Sequence, residues 1–286
     1  MQDFPARWQP VWLLADKNTG IFMKTLLFTL ILSACLLPGM QVHAQLRVTC
    51  ELNYKKYLLF EPILAKVTIK NVSGRQMVVA ENGKDAARFS FDIRNTRNYQ
   101  MDRRPEVIMI EKPIVLKNQE STELLIYLNS AYTINEIDAY RVRAMVRIGD
   151  YAHTSDNAIF DTYEGSILSE FSTQEPPRRY TMRKISRPQK GIFLYLRVDG
   201  ADGKMNYGVP ILDTMVPVFK PHMVMDGRGC IHTLHRKSPQ QFVEVVIDAN
   251  AREVDRTYFR SGFGAVNFMR DEAGQIRVAG VEKISP

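Results

Sequence analysis

Apolar and polar residues alternate along two stretches in the first half of the chain. Residues 63–70 place apolar side chains at every second position before a turn-type sequence, and residues 140–148 repeat the pattern before Gly149. Alternation with a period of two, bounded by turn residues, is typical of half-buried antiparallel strands. Weaker patterns predict one or two helical turns over 82–88 and further strands over 47–53, 76–80, 89–94, 106–110, 124–128 and 158–162. This many short strands within residues 45–173 favour a β-sandwich.

Two stretches resemble strands of bacterial Ig-like domains. The sequence of Phe60–Asn71 is similar to their second strand, and residues 131–144 resemble their penultimate strand with its tyrosine corner at Tyr140. The family usually carries a glycine just before this tyrosine, where the chain has Asp138 and Ala139. The resemblance covers about residues 46–172 and implies an Ig-like antiparallel β-sandwich. Such domains include proteinase inhibitors and many adhesin or envelope modules, so the fold alone selects no function.

The second half of the chain has a different pattern, in which short alternating segments flank turns that begin with aspartate. These aspartates recur at intervals of 24, 22 and 23 residues, at Asp202, Asp226, Asp248 and Asp271. Aspartate favours turns because its side chain bonds to its own downstream backbone. Residues 191–286 are therefore predicted to form an antiparallel β-hairpin meander domain, whose hairpins resemble pieces of propeller blades. The prolines and basic residues of 174–190 predict a solvated linker between the two domains.

The N-terminal segment has the pattern of a secretory signal peptide. Lys24 precedes an apolar run over 25–37, and small residues end at Ala44, so residues 23–44 are predicted to be removed on export. Residues 1–22 are then an upstream extension from a mis-annotated start. The sequence around Cys35 resembles a lipobox, which leaves lipidation of Cys35 and an outer-membrane lipoprotein as the alternative. Either way we predict no transmembrane span in the mature chain, and a location in the periplasm or at the cell surface.

Composition and cysteine content limit the protein class. The chain is 45% apolar and 24% charged, which excludes collagen-like, disordered and multi-span membrane proteins. The net charge is +7, and removing the signal peptide and the extension lowers it by one unit. Export would leave Cys50 and Cys230 in an oxidising compartment, where they form one disulfide or remain two free thiols.

Candidate chemistry is sparse. Cys230, His232 and His235 bring three metal-ligand positions together within six residues, but on a strand His235 points to the face opposite His232. A tetrahedral metal site also needs a fourth ligand, so we predict no metal and no cofactor. The sequence contains no G-x-S-x-G, H-E-x-x-H or phosphate-loop motif. The protein is therefore predicted not to be an enzyme, and a glycan-acting enzyme remains a remote alternative.

Basic residues give the better functional signal. Arg141, Arg143 and Arg147 are predicted to line the outward face of one strand. The predicted linker adds further cations: Arg178, Arg179, Arg183, Lys184, Arg187 and Lys190. These charges are either ordinary solvated surface residues or they attract an anionic polymer, lipid headgroups or an acidic protein. Export and the lack of a recognition motif argue against nucleic acid.

We therefore expect a non-catalytic binding protein of the bacterial cell envelope that recognises a protein or an anionic glycan. The alternative, suggested by the resemblance, is a secreted proteinase inhibitor of Ig-like type. Its inhibitory loop would be Asn95–Arg104, which carries several basic residues.

Overall fold

The computed structural model describes residues 46–82, 86–261, 265–272 and 274–284. The predicted extension, the signal peptide and Cys35 lie outside these residues. Within them the chain is all-β, as the alternating pattern predicts, and is interrupted by one four-residue helix, α1 (Leu128–Ala131). No helix in the described part of the chain is both long enough and apolar enough to cross a membrane.

Ten strands of the first half form two sheets. In chain order they are β1 (Leu46–Leu52), β2 (Lys56–Leu58), β3 (Leu64–Asn71), β4 (Met77–Ala80), β5 (Ala87–Asn95), β6 (Ile114–Leu116), β7 (Ser121–Tyr127), β8 (Ala139–Ile148), β9 (Tyr151–Thr154) and β10 (Ala158–Tyr163). The smaller sheet has the order β1-β3-β7, and the larger has the order β2-β10-β8-β5-β4-β6, with β9 pairing β8. Most pairs are antiparallel, whereas β2 with β10 and β4 with β5 are parallel.

The alternating positions of these strands supply one hydrophobic core. Val67 and Ile69 from the smaller sheet and Phe89 and Val142 from the larger sheet are among its fully or almost fully buried members. The hydroxyl of buried Tyr140 donates a hydrogen bond to the backbone carbonyl of a residue four positions upstream, at 2.9 Å. This packing of two sheets is compatible with a β-sandwich.

Two local expectations were wrong. Residues 106–110 do not form a strand, and Ala87 and Arg88, expected at the end of a short helix, belong to the strand β5. The rest of β5 agrees with the strand predicted over 89–94, and residues 83–85 of the expected helix lie outside the described residues. In β5 the side chains of Phe89, Phe91 and Ile93 enter the core at every second position, and this period of two fits a strand and not a helix.

Twelve strands follow in the second half. They are β11 (Ser166–Thr173), β12 (Arg178–Arg187), β13 (Gly191–Gly200), β14 (Asn206–Gly208), β15 (Ile211–Met215), β16 (His222–Met225), β17 (Ile231–Ser238), β18 (Gln241–Ile247), β19 (Glu253–Ser261), β20 (Asn267–Arg270), β21 (Ile276–Ala279) and β22 (Val281–Ile284). One sheet has the order β11-β12-β13-β14, with β15 also pairing β13, and another has the order β16-β17-β18-β19-β22. The hairpin β20-β21 forms a separate two-stranded sheet.

The predicted linker is instead a strand in the interior of a sheet. Residues 178–187 form β12, which pairs with β11 on one side and with β13 along its whole length on the other. Tyr180 and Met182 point from one face of β12 into a hydrophobic core, while Arg183 and Arg187 lie buried on the opposite face. The expectation of a solvated linker was wrong because arginines of this segment pair with the carboxylates of Glu170, Glu164 and Glu61.

The aspartate-led turns form as predicted. Asp202, Asp226 and Asp248 each accept a hydrogen bond from the backbone N–H two residues downstream, at 2.8–3.0 Å. Asp271 accepts one from the N–H of Gln275 at 2.8 Å. These side chains therefore serve the turns that join the strands of the second half.

Candidate functional site

The three arginines predicted to share one face of a strand do so on β8. Antiparallel pairing places Arg141 opposite Arg94, Arg143 opposite Asp92 and Arg147 opposite Arg88 on β5. Side chains directly opposite each other in an antiparallel pair point to the same side of the sheet. The outer surface of β5 and β8 therefore carries five arginines, which we call the arginine face: Arg88, Arg94, Arg141, Arg143 and Arg147.

One carboxylate neutralises part of the arginine face. Asp92 lies between Arg94, whose Nε is 2.8 Å from Oδ1, and Arg143, whose Nη2 is 2.5 Å from Oδ2. Burial alone would raise the pKa of Asp92, but the hydrogen bonds from the two guanidinium groups outweigh it and lower the pKa below its usual value. Asp92 is therefore ionised at neutral pH and holds these two arginines in place.

The other arginines of the face have no acidic partner within the described part of the chain. Arg88 and Arg147 are exposed and lie directly opposite each other, although like charges in such a pair destabilise a sheet. Arg141 donates to the side-chain oxygen of Asn98 at 3.2 Å, which leaves its charge uncompensated. An anion seated on this face would relieve the repulsion, and guanidinium groups bind carboxylate or phosphate through two parallel hydrogen bonds.

The cations of the predicted linker have partners of their own. Arg179 pairs with Glu170 at 2.9 Å, and Arg178 lies over the ring of Tyr207, 3.6 Å from its centroid. Arg183 donates to Glu164 at 2.5 Å, and its side chain is 9% exposed. Lys184 lies half-buried on the same strand. The expectation that these cations form one solvated surface was wrong for the four arginines, which have partners within the protein. Lys190 is exposed, as expected.

Arg187 forms an ion pair buried between the two halves of the chain. Its Nη2 lies 2.6 Å from both carboxylate oxygens of Glu61, and the two side chains are 2% and 1% exposed. Glu61 also accepts hydrogen bonds from the backbone N–H of Leu58 at 2.8 Å and from the hydroxyl of Tyr195 at 2.9 Å. Burial raises the pKa of Glu61, and Arg187 acts in the opposite direction. We call these two residues the joint pair.

The candidate cysteines and histidines do not assemble into one site. Cys50 and Cys230 are both free thiols, so the disulfide alternative was wrong. Cys50 packs against the core of the first half, whereas Cys230 stands just before β17 in the second half. Burial raises the pKa of Cys50 to about 11 and also raises that of Cys230. Both thiols are therefore weak nucleophiles at neutral pH.

The two histidines of β17 point to opposite faces of the sheet, as the sequence predicts. His232 lies between Glu244, 2.8 Å from Nδ1, and Asp226, 3.4 Å from Nε2. Burial would lower the pKa of His232, but these carboxylates raise it overall. His235 is fully buried, neither ring nitrogen has a hydrogen-bond partner, and burial lowers its pKa to about 4. Among the described residues, no three potential ligands are grouped to hold a metal ion.

The segment considered as an inhibitory loop folds back on the strand before it. The backbone N–H of Met101 donates to the carbonyl of Ile93 at 2.8 Å, and Gln100 forms a β-bridge with Arg94. Two of its three arginines are paired as well, Arg97 with Glu136 and Arg103 with Glu81, both at 3.1 Å. This geometry gives no support to a protruding, protease-directed loop.

No family model matches the chain, and no curated protein matches its sequence. Among solved structures, the chain is similar to Spo0M, the sporulation control protein from Bacillus subtilis, with 7% sequence identity, 70% of this chain and 78% of that chain covered, and a TM-score of 0.26. A likeness at this TM-score carries no argument about fold or function, so the functional argument rests on the arginine face.

Proposed function

We propose that this chain is a non-catalytic binding protein of the bacterial cell envelope, and that its arginine face recognises an anionic glycan. The observation that carries the proposal is the direct opposition of Arg88 and Arg147, exposed and without a carboxylate partner among the described residues. Export, which places the protein beside such polymers, rests on the signal-type sequence of residues 23–44.

The shape of the arginine face favours an extended ligand over a small one. Side chains on one face of a strand recur about every 7 Å, and neighbouring strands lie about 4.8 Å apart. Arg141 and Arg147 stand at opposite ends of β8, so an anion that contacts both must span several residues of strand. A polymer with regularly repeated carboxylates meets this requirement, and many weak contacts would add up along it.

The test compares wild-type protein with Arg88→Gln/Arg141→Gln/Arg147→Gln in binding to polygalacturonate across a salt series. Exposed ion pairs contribute about 0.2–1 kcal/mol each, so three lost pairs should weaken binding about tenfold. The salt dependence should also become less steep, because fewer screened contacts remain.

The matched control is Arg47→Gln/Arg252→Gln/Arg260→Gln, which removes the same charge from exposed positions outside β5 and β8. We expect the control to bind polygalacturonate nearly as well as the wild type. Equal losses in both variants would show a non-specific charge effect and refute the proposed site. Unchanged binding and salt dependence in the arginine-face variant would also refute it.

A further inference from the structure

A basic pocket lies beside the joint pair, and Arg187 is one of its lining residues. Its volume is about 520 Å³, and it is enclosed by the segment around Tyr54 and by the turn that connects β12 to β13. The lining residues that matter here are Tyr54, Lys55, Lys56, Asp161, Arg187 and Lys190. Sequence reasoning missed this pocket because its two sides lie more than a hundred residues apart.

The charges around the pocket do not balance. Lys55, Lys56 and Lys190 face one carboxylate, Asp161, while Arg187 is compensated by Glu61. Three lysines against one aspartate leave an excess of two positive charges at the pocket. A dianion would neutralise this excess, whereas a monoanion would leave half of it.

Arg187 is held in a fixed position at the wall of the pocket. Its Nε donates to the carbonyl of Lys56 at 2.8 Å and its Nη2 bonds to Glu61, but its buried Nη1 has no partner. Tyr54 stacks against the guanidinium, 3.8 Å from the ring centroid, and fixes its orientation. Nη1 is itself buried, as are unpaired guanidinium nitrogens of other arginines, so what Arg187 adds to the pocket is a rigid wall rather than a free donor.

The pocket continues into an apolar one. A second pocket of about 480 Å³ shares Leu52, Tyr54, Lys55 and Asp161 with the first, and adds Ala158, Ile159 and Phe160. A ligand that occupies both would place its charged group near the lysines and an apolar body against these side chains. Ligand pockets typically combine an apolar lining with a few convergent polar groups in this way.

We propose that this pocket binds a phosphate monoester attached to an apolar body. Such an ester carries close to two negative charges at neutral pH, which matches the charge excess, and offers three acceptor oxygens for the lysines of the pocket. The ester group belongs either to a small soluble molecule or to a lipid headgroup. The charge argument does not depend on the arginine face, because the basic pocket includes none of its residues. Only the apolar pocket approaches that face, through Ile159, which lies opposite Arg141.

The first measurement is calorimetric titration of the purified protein with phenyl phosphate, and with phenyl sulfate as a monoanion of similar shape. The second is cosedimentation with phosphatidylcholine vesicles prepared with and without phosphatidic acid. The pocket variant is Lys55→Gln/Lys190→Gln, since both side chains are exposed and the fold does not depend on them. The control is Lys204→Gln/Lys220→Gln, which removes the same charge from exposed positions elsewhere.

We expect phenyl phosphate to bind at least about fivefold more tightly than phenyl sulfate, as the charge excess requires. The pocket variant should lose about tenfold in affinity for the phosphate probe while the control and the arginine-face variant keep theirs. If only vesicles with phosphatidic acid bind, and the pocket variant alone loses this binding, the phosphate ester belongs to a lipid headgroup. Saturable binding of neither probe, equal affinity for phenyl sulfate, or an equal loss in the control would overturn the proposal.

Discussion

Replacing Glu61 with glutamine removes the only carboxylate paired with Arg187 among the described residues and leaves a buried guanidinium uncompensated. The amide of glutamine also keeps only one acceptor oxygen, whereas the N–H of Leu58 and the hydroxyl of Tyr195 donate to different oxygens of Glu61. It therefore loses an acceptor as well as the charge. Breaking a buried ion pair by removing one partner typically costs about 3–5 kcal/mol. This is a large part of a stability that for most domains is about 5–15 kcal/mol.

The assay is urea unfolding followed by circular dichroism, with a thermal melt as the second readout. For a chain of this size each kcal/mol shifts the melting temperature by about 2–4 °C, so Glu61→Gln should lower it by about 10 °C. The control is Glu123→Gln, which breaks the pair with Lys66, two side chains that are 58% and 46% exposed. Exposed pairs of this kind contribute about 0–1 kcal/mol.

The double variant Glu61→Leu/Arg187→Met separates charge from packing. Removing both charges leaves no buried ion, and apolar replacements of buried ion pairs are often neutral or stabilising. We therefore expect the double variant to unfold at a higher urea concentration than Glu61→Gln. If Glu61→Gln lowers the free energy of unfolding by less than about 1 kcal/mol, the joint pair is not a desolvated pair in which each charge needs the other.

Three further predictions follow from buried contacts. Because burial lowers the pKa of His235 from 6.5 to about 4, the unfolded chain takes up a proton before the folded one, so stability should fall as the pH decreases between these values. His235→Leu should reduce this acid-induced loss of unfolding free energy by about 2–3 kcal/mol. If the unfolding free energies of variant and wild type, measured by urea unfolding, fall in parallel with pH, the prediction is wrong. Tyr140→Phe should cost only about 1 kcal/mol in the same assay, since Thr162 also donates to the carbonyl of Glu136 and keeps it satisfied, and a loss above about 3 kcal/mol would contradict this. Limited trypsin digestion should cut after exposed Lys204 before it cuts within residues 178–187, and early cleavage inside that range would contradict the interior position of β12.

The parts of the fold that depend on local signals could be predicted from the sequence. Residues 63–70 and 140–148 alternate because one side of each strand faces the core, and the turn aspartates bond to backbone groups two to four residues away. These signals lie within a few residues of one another. The same holds for the shared face of Arg141, Arg143 and Arg147, which follows from the two-residue period of β8 alone.

The parts that depend on pairing between distant residues could not be predicted. The density of charge and proline around β12 suggested a solvated segment, although Tyr180 and Met182 already alternate there with charged positions. Arg183 and Arg187 are buried against Glu164 and Glu61, and no pattern in the sequence around them identifies those partners. Arg88 was missed for a related reason, because its place opposite Arg147 follows from the register of β5 against β8.

The joint pair has a consequence for the order in which the chain folds. Glu61 and Arg187 are 126 residues apart in sequence, and closing a flexible loop of that length costs about 4 kcal/mol of chain entropy. The contact becomes favourable only after β2 and β12 each have a sheet to hold them, so it should form late, in a docking step between two partly built halves. Until then Glu61 remains hydrated, and the apolar side chains around it, Leu58 and Tyr195 among them, stay accessible to chaperones.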